Sequence, residues 1–287
     1  MTVVLVTGAE GQLGRETVLA LQSKGFDVVG LGRKELDFIQ PERVSEIVAD
    51  HKADWVINCA AYTQVDKAEQ EQHKARVING DSAGAVAEGV KSYGGNLVHI
   101  STDFVFAGNQ SRPYKESDSV NPTNVYGETK LVGEQKVLAI LERAIVLRTS
   151  WVYGLHGNNF VKTMLRLATE RNQLQVVNDQ IGTPTWTSDI VDAILALLVK
   201  PQSGLFHFSN SGEVSWYDFA VEIIAKGKQL GFPIKTEKVL PIPSSSYPTA
   251  ARRPAYSVLD KAKIDSVLDY PIPNWSVSLD KMMKGLV

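Results

Sequence analysis

The sequence predicts an α/β protein with a doubly wound parallel sheet, followed by a smaller and less regular α/β region. Over the first 150 residues, short β-branched runs alternate with segments of helical period, as repeated βαβ units require. These runs are apolar on both faces, which indicates strands buried between two helical layers. After about residue 150, proline and aromatic residues become common and the predicted strands are short.

Each element follows from the local pattern. We predict strands at residues 3–6, 27–31, 54–58, 96–100 and 144–148. We predict helices at residues 12–24, 41–51, 73–93, 130–142, 189–199 and 216–228, the second of them opened by Pro41. Residues 242–254 have the composition of a loop. The pattern therefore divides the chain into a regular region, 1–150, and an irregular region, 151–287, some segments of which return to pack on the first.

The composition excludes several classes of partner. Thirty basic and 32 acidic residues give a net charge of -2, so bulk charge favours neither nucleic acid nor an anionic membrane. The one cysteine, Cys59, cannot form an intrachain disulfide, which suits a reducing compartment. We see neither a secretory signal at the start nor an apolar stretch of ~20 residues, and we expect a cytoplasmic protein.

A glycine-rich loop, Gly-Ala-Glu-Gly-Gln-Leu-Gly at residues 8–14, lies between the first strand and the first helix. Glycines there allow a tight turn and close approach of a pyrophosphate, which the helix N-terminus attracts. The alternative is a plain turn that happens to contain several glycines. The position favours a dinucleotide-binding Rossmann domain at 1–150, with 151–287 mainly binding the substrate. The predicted contacts in the loop are Gly8, Gly11, Gln12, Leu13 and Gly14.

The end of the second strand bears on the choice of cofactor. NAD-binding domains commonly place an acidic residue there to bind the ribose 2′-hydroxyl, whereas this chain has Gly32 and Arg33. Arg33 could pair with a 2′-phosphate, which favours NADPH, with NADH as the other possibility. The alternative reading of Arg33 is a solvated surface arginine.

Tyr126 and Lys130 form a Tyr-x-x-x-Lys pair, which shares one face if the segment is helical. An ammonium group beside a phenol lowers the phenol pKa from its usual ~10, which suits proton donation to a carbonyl. Thr102 follows the strand that ends at Ile100, at the edge where such sheets bind ligands. A surface pair and a helix-capping threonine are the alternatives.

In order and spacing, these features resemble the extended branch of the short-chain dehydrogenase/reductase family. Further segments resemble the dTDP-4-dehydrorhamnose reductases within that branch, and the likeness covers nearly the whole chain. The matching segments are residues 11–14, 58–63, 65–69, 101–106, 124–130, 148–153, 157–160, 178–180 and 251–254.

The resemblance implies reduction of the C4 keto group of dTDP-4-dehydro-L-rhamnose by NADPH or NADH, giving dTDP-L-rhamnose for polysaccharides. Tyr126 would donate the proton, and Lys130 would lower the pKa of Tyr126 and hold the nicotinamide ribose. Thr102 would orient the keto oxygen and, with Asp103, contact the sugar. Trp151 would pack on the deoxysugar ring. The other implied cofactor contacts are Asp37, Phe38, Ala60, Ala61 and Tyr62.

Some of these assignments have structural alternatives. Asp37 could cap the helix near Pro41, and Trp151 could be a core aromatic. Arg252 and Arg253 could bind the nucleotide diphosphate or could be surface charge.

We expect no metal in the reaction. Some relatives dimerise around magnesium held by acidic residues; here Glu16 matches one, but Ser188, beside Asp189, stands at the other. Magnesium and that dimer are therefore doubtful, which leaves a monomer or a homodimer.

Two rival functions remain. One is a reductase, or reducing epimerase, acting on another nucleotide-activated 4-keto sugar. Epimerisation would need a further acid/base pair near the sugar, for which no cysteine or histidine is obviously placed, although His99 and His156 stay open. The other is a non-catalytic, NADP-binding regulatory subunit, such as the accessory subunits of methionine adenosyltransferase. That role does not require an intact Thr102, Tyr126 and Lys130.

Overall fold

The structure, a computed structural model, describes residues 2–200 and 202–287. The strands are β1 Val3–Thr7, β2 Asp27–Leu31, β3 Trp55–Asn58, β4 Asn96–Thr102, β5 Ile145–Thr149, β6 Val152–Tyr153, β7 Gln173–Val177, β8 Ile181–Gly182, β9 Thr185–Trp186, β10 Gly204–His207, β11 Val214–Ser215 and β12 Lys238–Ile242. The helices are α1 Gln12–Ser23, α2 Pro41–His51, α3 Val65–Ala68, α4 Gln72–Arg76, α5 Ser82–Tyr93, α6 Val125–Ile140, α7 Phe160–Glu170, α8 Thr187–Val199, α9 Trp216–Gln229, α10 Ala262–Asp265 and α11 Trp275–Lys284. A π-helical turn covers Val77–Asp81, and 3₁₀ turns cover Asp103–Val105 and Ser244–Ser246.

Six parallel strands form the central sheet in the order β10-β5-β4-β3-β1-β2. One apolar cluster covers each face: α1 and α8 contribute to the first, and α2, α5 and α6 to the second. The predicted doubly wound α/β class is confirmed. The strand order reverses between the neighbouring strands β1 and β3, so a crevice opens outside the carboxyl ends of these two strands.

The structure corrects two of the predicted helices. The segment predicted as one helix over 73–93 is two helices, α4 and α5, joined by the π-helical turn at Val77–Asp81. The helix predicted to begin at residue 130 begins at Val125, so Tyr126 and Lys130 both lie in its first turns. Asn124 caps this helix by accepting a hydrogen bond from the Gly127 amide at 2.8 Å.

The carboxyl region contributes to both parts of the fold. β10 pairs with β5 in the central sheet, and α8 packs on α1. The remaining segments build a third apolar cluster around α7, α9 and α11, bordered by short strand pairs. The strands β7 and β12 are among those that the sequence pattern did not reveal. The domain boundary near residue 150 stays a prediction.

Over the residues described, none of the helices combines the length and the apolar character that crossing a bilayer requires.

Candidate active site

A cleft of about 920 Å³ opens at the carboxyl ends of the central strands. Every site residue predicted from the sequence lines it. They are Gly8, Gly11, Gln12, Leu13, Gly14, Arg33, Asp37, Phe38, Ala60, Ala61, Tyr62, Thr102, Asp103, Tyr126, Lys130 and Trp151. The fold therefore brings together residues that lie up to 143 positions apart between Gly8 and Trp151.

The glycine loop has the geometry of a phosphate-binding turn. Gly8 has a φ of 66°, and the Gly11 amide donates to the Gly8 carbonyl at 2.9 Å. A Cβ on Gly14 would lie 2.1 Å from the Gly8 oxygen, and one on Gly8 would lie 2.7 Å from the Ala60 nitrogen. Only glycine allows these backbone segments to come so close, and without side chains the backbone N–H groups at the N-terminus of α1 are open to the cleft. The loop therefore fits a dinucleotide pyrophosphate.

The far end of the cleft has the residues expected around an adenosine. Arg33 is exposed after β2, and its amide donates to the Glu10 carboxylate at 3.4 Å. Asp37 is not the cap of α2, because that position belongs to Gln40; the Asp37 carboxylate accepts from the Ile39 amide at 3.2 Å.

The segment under the cleft is held by Asn79, which the sequence analysis missed. Its side chain accepts from the Tyr62 amide at 2.8 Å and donates to the Tyr62 carbonyl at 3.1 Å. The same amide nitrogen lies 3.1 Å from the Thr129 hydroxyl on α6. Asn79 lies in the π-helical turn, and π-helical turns often occur at functional sites. This one ties the 60–62 segment to the helix that carries Tyr126 and Lys130.

Gly127 explains how Tyr126 reaches the cleft. A Cβ at this position would lie 2.2 Å from the Phe104 carbonyl oxygen, so only glycine lets α6 pass so close to the turn after β4. Tyr126 then packs edge-on against Phe104, with the ring centroids 5.5 Å apart.

The electrostatics of the Tyr126–Lys130 pair differ from the prediction. Burial raises the pKa of Tyr126 to about 12, and the nearby Thr102 hydroxyl opposes part of that rise. The Lys130 ammonium is directed to the backbone, since its Nζ donates to the Ile100 carbonyl at 2.7 Å. Burial also lowers the pKa of Lys130 to about 8, while Glu134 and Cys59 oppose that change. Burial therefore outweighs any lowering of the Tyr126 pKa by Lys130, and the phenol is protonated at neutral pH.

The capping alternative for Thr102 is confirmed, whereas its contact with the substrate oxygen stays a prediction. Its hydroxyl caps the 3₁₀ turn by accepting from the Phe104 amide at 3.2 Å, and it also lines the cleft beside Tyr126. The same hydroxyl donates to Asp103 at 3.0 Å. Burial raises the pKa of Asp103 to about 6, and the hydroxyl groups of Ser257 and Thr102 oppose part of that rise. The Thr102 hydroxyl is thus already engaged within the chain, and a ligand group that accepts its proton has to replace Asp103.

A buried polar network below Lys130 was also missed. Arg148, 2% exposed, binds both carboxylate oxygens of Glu134 at 2.8 and 2.6 Å. The Ser101 hydroxyl donates to the same carboxylate. Because Glu134 raises the pKa of Lys130, the network keeps negative charge next to the site.

Trp151 lies at the other end of the cleft and stacks on Trp216, with ring centroids 3.4 Å apart. Both indoles line the cleft. Trp151 is half-buried and packs against the third apolar cluster while it lines the cleft, so its contact with the sugar stays a prediction.

The two arginines of the 251–254 segment have different roles. Arg253 lines the cleft and forms an ion pair with Asp66 at 2.7 Å. The Arg252 carbonyl accepts from Asn124, the cap of α6, at 2.8 Å. The segment is thus anchored to the 1–150 region at both Asp66 and Asn124.

Neither histidine considered for epimerisation lines the cleft. His99 is buried beneath it beside Asn58, and His156 lies 3.7 Å from Glu16.

The residues at the possible magnesium position do not fit that ion. Asp189 is 6% exposed, and its carboxylate already accepts from Asn210 and Ser278. Across residues 2–200 and 202–287, the His, Cys, Asp and Glu side chains form no cluster of three or more suited to a metal. Divalent magnesium needs several oxygen ligands, which Glu16 and a committed Asp189 do not supply.

The comparisons with known proteins agree with this geometry. The dTDP-4-dehydrorhamnose reductases of Burkholderia thailandensis and Escherichia coli K12 are 40% and 41% identical over 99% of this chain, and the match covers 99% and 97% of those proteins. A crystal structure of dTDP-4-dehydrorhamnose reductase from Bacillus anthracis in complex with NADP superposes with a TM-score of 0.94 at 37% identity, covering 99% of this chain and 100% of that one. The family model described as RmlD substrate binding domain matches residues 1–287, so the chain belongs to the RmlD family of dTDP-4-dehydrorhamnose reductases.

Proposed function

We propose that the protein reduces the C4 keto group of dTDP-4-dehydro-L-rhamnose to the alcohol, giving dTDP-L-rhamnose. The observation that carries this is the meeting of Thr102, Tyr126 and Lys130 with Trp151 in one cleft that begins at the glycine loop. We take the substrate from the names of the relatives. The proposed proton donor, Tyr126, and the proposed aromatic surface for the sugar, Trp151, both line the cleft. The rival regulatory role would not need these four side chains together.

The chain's own residues prepare the carbonyl for reduction. When bound, NADPH supplies the hydride, and the glycine loop fits its pyrophosphate. Tyr126, protonated because burial raises its pKa to about 12, gives its proton to the oxygen as C4 gains the hydride. Thr102 exchanges its hydrogen bond to Asp103 for one donated to the same oxygen, and Lys130 stabilises the phenolate that Tyr126 leaves. A proton from solvent then restores the phenol.

NADPH is the cofactor we favour, with NADH as the second choice. The relative from Bacillus anthracis was solved with NADP, and Arg33 lines the cleft directly after β2. The exposed Arg33 would recognise the 2′-phosphate as a charge-assisted hydrogen-bond donor.

The proposed function is tested by oxidation of NADPH and of NADH at 340 nm with dTDP-4-dehydro-L-rhamnose made in situ. We expect turnover of this sugar, with dTDP-L-rhamnose as the product identified by mass and by NMR. Cofactor binding without turnover of this sugar would refute the assignment. Turnover of a different 4-keto sugar would support the first rival, and turnover of none would support the regulatory rival.

The pH dependence of reduction reports on Lys130. Its charged form, which stabilises the phenolate, is present below its pKa of about 8 and is lost above it. We therefore expect kcat to fall about tenfold between pH 7 and pH 9, while Tyr126 stays protonated. Lys130→Arg, charged at both pH values, should abolish this fall even if its overall rate is lower. A wild-type profile that stays level to pH 10 would contradict the role of Lys130.

A further inference from the structure

Trp151 and Trp216 form a stack that other residues must hold in place. Their rings lie 5° from parallel with centroids 3.4 Å apart, close to the face-to-face arrangement that isolated aromatic pairs avoid. The ring of Trp216 also packs against Phe160 and Phe219, with centroid distances of 4.6 and 6.4 Å. Both belong to the third apolar cluster, so Trp216 is fixed by the core of the carboxyl region.

Trp151 is held in one orientation by its backbone and by a glycine. Its φ of 45° is left-handed, a conformation that a tryptophan adopts only where its surroundings demand it. A Cβ on Gly182 would lie 2.5 Å from Trp151 Cε2, so only glycine leaves room for the edge of the indole. One face of the Trp151 indole stacks on Trp216, and one edge contacts Gly182. Trp151 also lines the cleft.

The two supports come from one structural unit. Gly182 ends β8, which pairs antiparallel with β11, and Trp216 follows β11 directly. Ser215 caps α9 by accepting from the Asp218 amide at 3.0 Å, which fixes the first turn of the helix where Trp216 lies. The strand pair therefore sets the position of both contacts on Trp151.

Resting on the function proposed above, we infer that Trp216 is a positioning residue for the sugar site. By stacking behind Trp151, it fixes the indole plane against which the apolar face of a deoxysugar ring packs. Trp216 acts through Trp151, so its loss weakens sugar binding and leaves cofactor binding and proton transfer intact.

The test compares Trp216→Ala and Trp216→Phe with the control Trp275→Phe, which changes a tryptophan of the same cluster outside the cleft. We expect Trp216→Ala to raise KM for the sugar nucleotide about tenfold and to change kcat by less than about threefold. Trp216→Phe keeps an aromatic support and should return KM to within about threefold of wild type. The Kd of NADPH, measured by its fluorescence, should be the same in all variants.

Far-ultraviolet circular dichroism at the strong indole transition reports on the stack without substrate, because two stacked indoles couple these transitions into a couplet. We expect this couplet in the wild type and in Trp275→Phe, and its loss in both Trp216 variants. A couplet missing from the wild type, or an unchanged KM in Trp216→Ala after the couplet is lost, would overturn the inference. If the wild type fails to reduce the sugar, the proposed function fails, while the couplet still decides whether Trp216 fixes Trp151.

Discussion

Tyr126→Phe should lower kcat about a thousandfold and leave the Kd of NADPH unchanged. The substitution removes one hydroxyl group from a ring whose position is fixed by its edge-on contact with Phe104. Phenylalanine preserves that contact, so the loss reports on proton donation and not on the packing of the cleft. Single-turnover NADPH oxidation, together with cofactor titration by fluorescence, separates the chemical step from binding.

The matched control is Tyr256→Phe. It removes a half-buried phenol whose pKa is also raised by burial, but which donates to Glu213 and lies outside the cleft. We expect its kcat to equal that of the wild type. If Tyr126→Phe kept more than about a tenth of the wild-type kcat, another group would be the acid. Thr102 would then be the first side chain to test, because its hydroxyl faces the same part of the cleft.

The features that the sequence predicted well are those that depend on neighbouring residues. The glycine loop needs seven consecutive residues after a strand, and the Tyr126–Lys130 pair needs only a helix through both positions. Burial on both faces also makes the strands of a parallel sheet recognisable from composition. For these reasons the fold class and the cleft-lining residues followed from the chain itself and from the family resemblance.

The features that the sequence did not predict depend on contacts between distant segments. Asn79 is 17 residues from Tyr62 and 50 from Thr129, and no local pattern links the three. The support of Trp151 by Trp216 likewise joins positions 65 residues apart through a strand pair of two residues each. Such pairings are specified by packing in three dimensions, which periodicity does not report.

The pKa of Tyr126 likewise depends on distant residues, so the sequence did not predict it. Spacing alone suggested that Lys130 lowers it, because the two side chains share a helix face. In the structure burial is the largest cause and raises the value to about 12, while Lys130 turns toward the Ile100 carbonyl. Desolvation depends on all the atoms that surround a group, so a two-residue motif cannot predict whether the pKa of Tyr126 rises or falls.

The second large effect concerns stability. Arg148→Met should lower the free energy of unfolding by about 3–5 kcal/mol, because it leaves the carboxylate of Glu134 buried without its partner. The two side chains are only 2% and 3% exposed and share two hydrogen bonds. Urea unfolding followed by circular dichroism and by tryptophan fluorescence measures the change where both probes report one transition.

The control for this variant is Arg166→Met, which breaks an ion pair with Glu170 whose side chains are 60% and 50% exposed. We expect no measurable change, because water replaces the contact. If Arg148→Met also left the free energy of unfolding unchanged, Glu134 would be hydrated in solution.

The double variant Arg148→Met/Glu134→Gln separates the buried charge from the lost packing. It should recover about 1–2 kcal/mol relative to Arg148→Met, because the uncompensated carboxylate is gone. If the double variant loses as much free energy of unfolding as the two single variants together, the buried charge is not the cause of the destabilisation.

Glu134→Gln alone has a second expected effect. Because Glu134 raises the pKa of Lys130, its removal should lower that pKa further and shift the fall of kcat to lower pH. A stability change without this shift would confine Glu134 to a structural role, whereas both together would connect the buried pair to the charge that stabilises the Tyr126 phenolate.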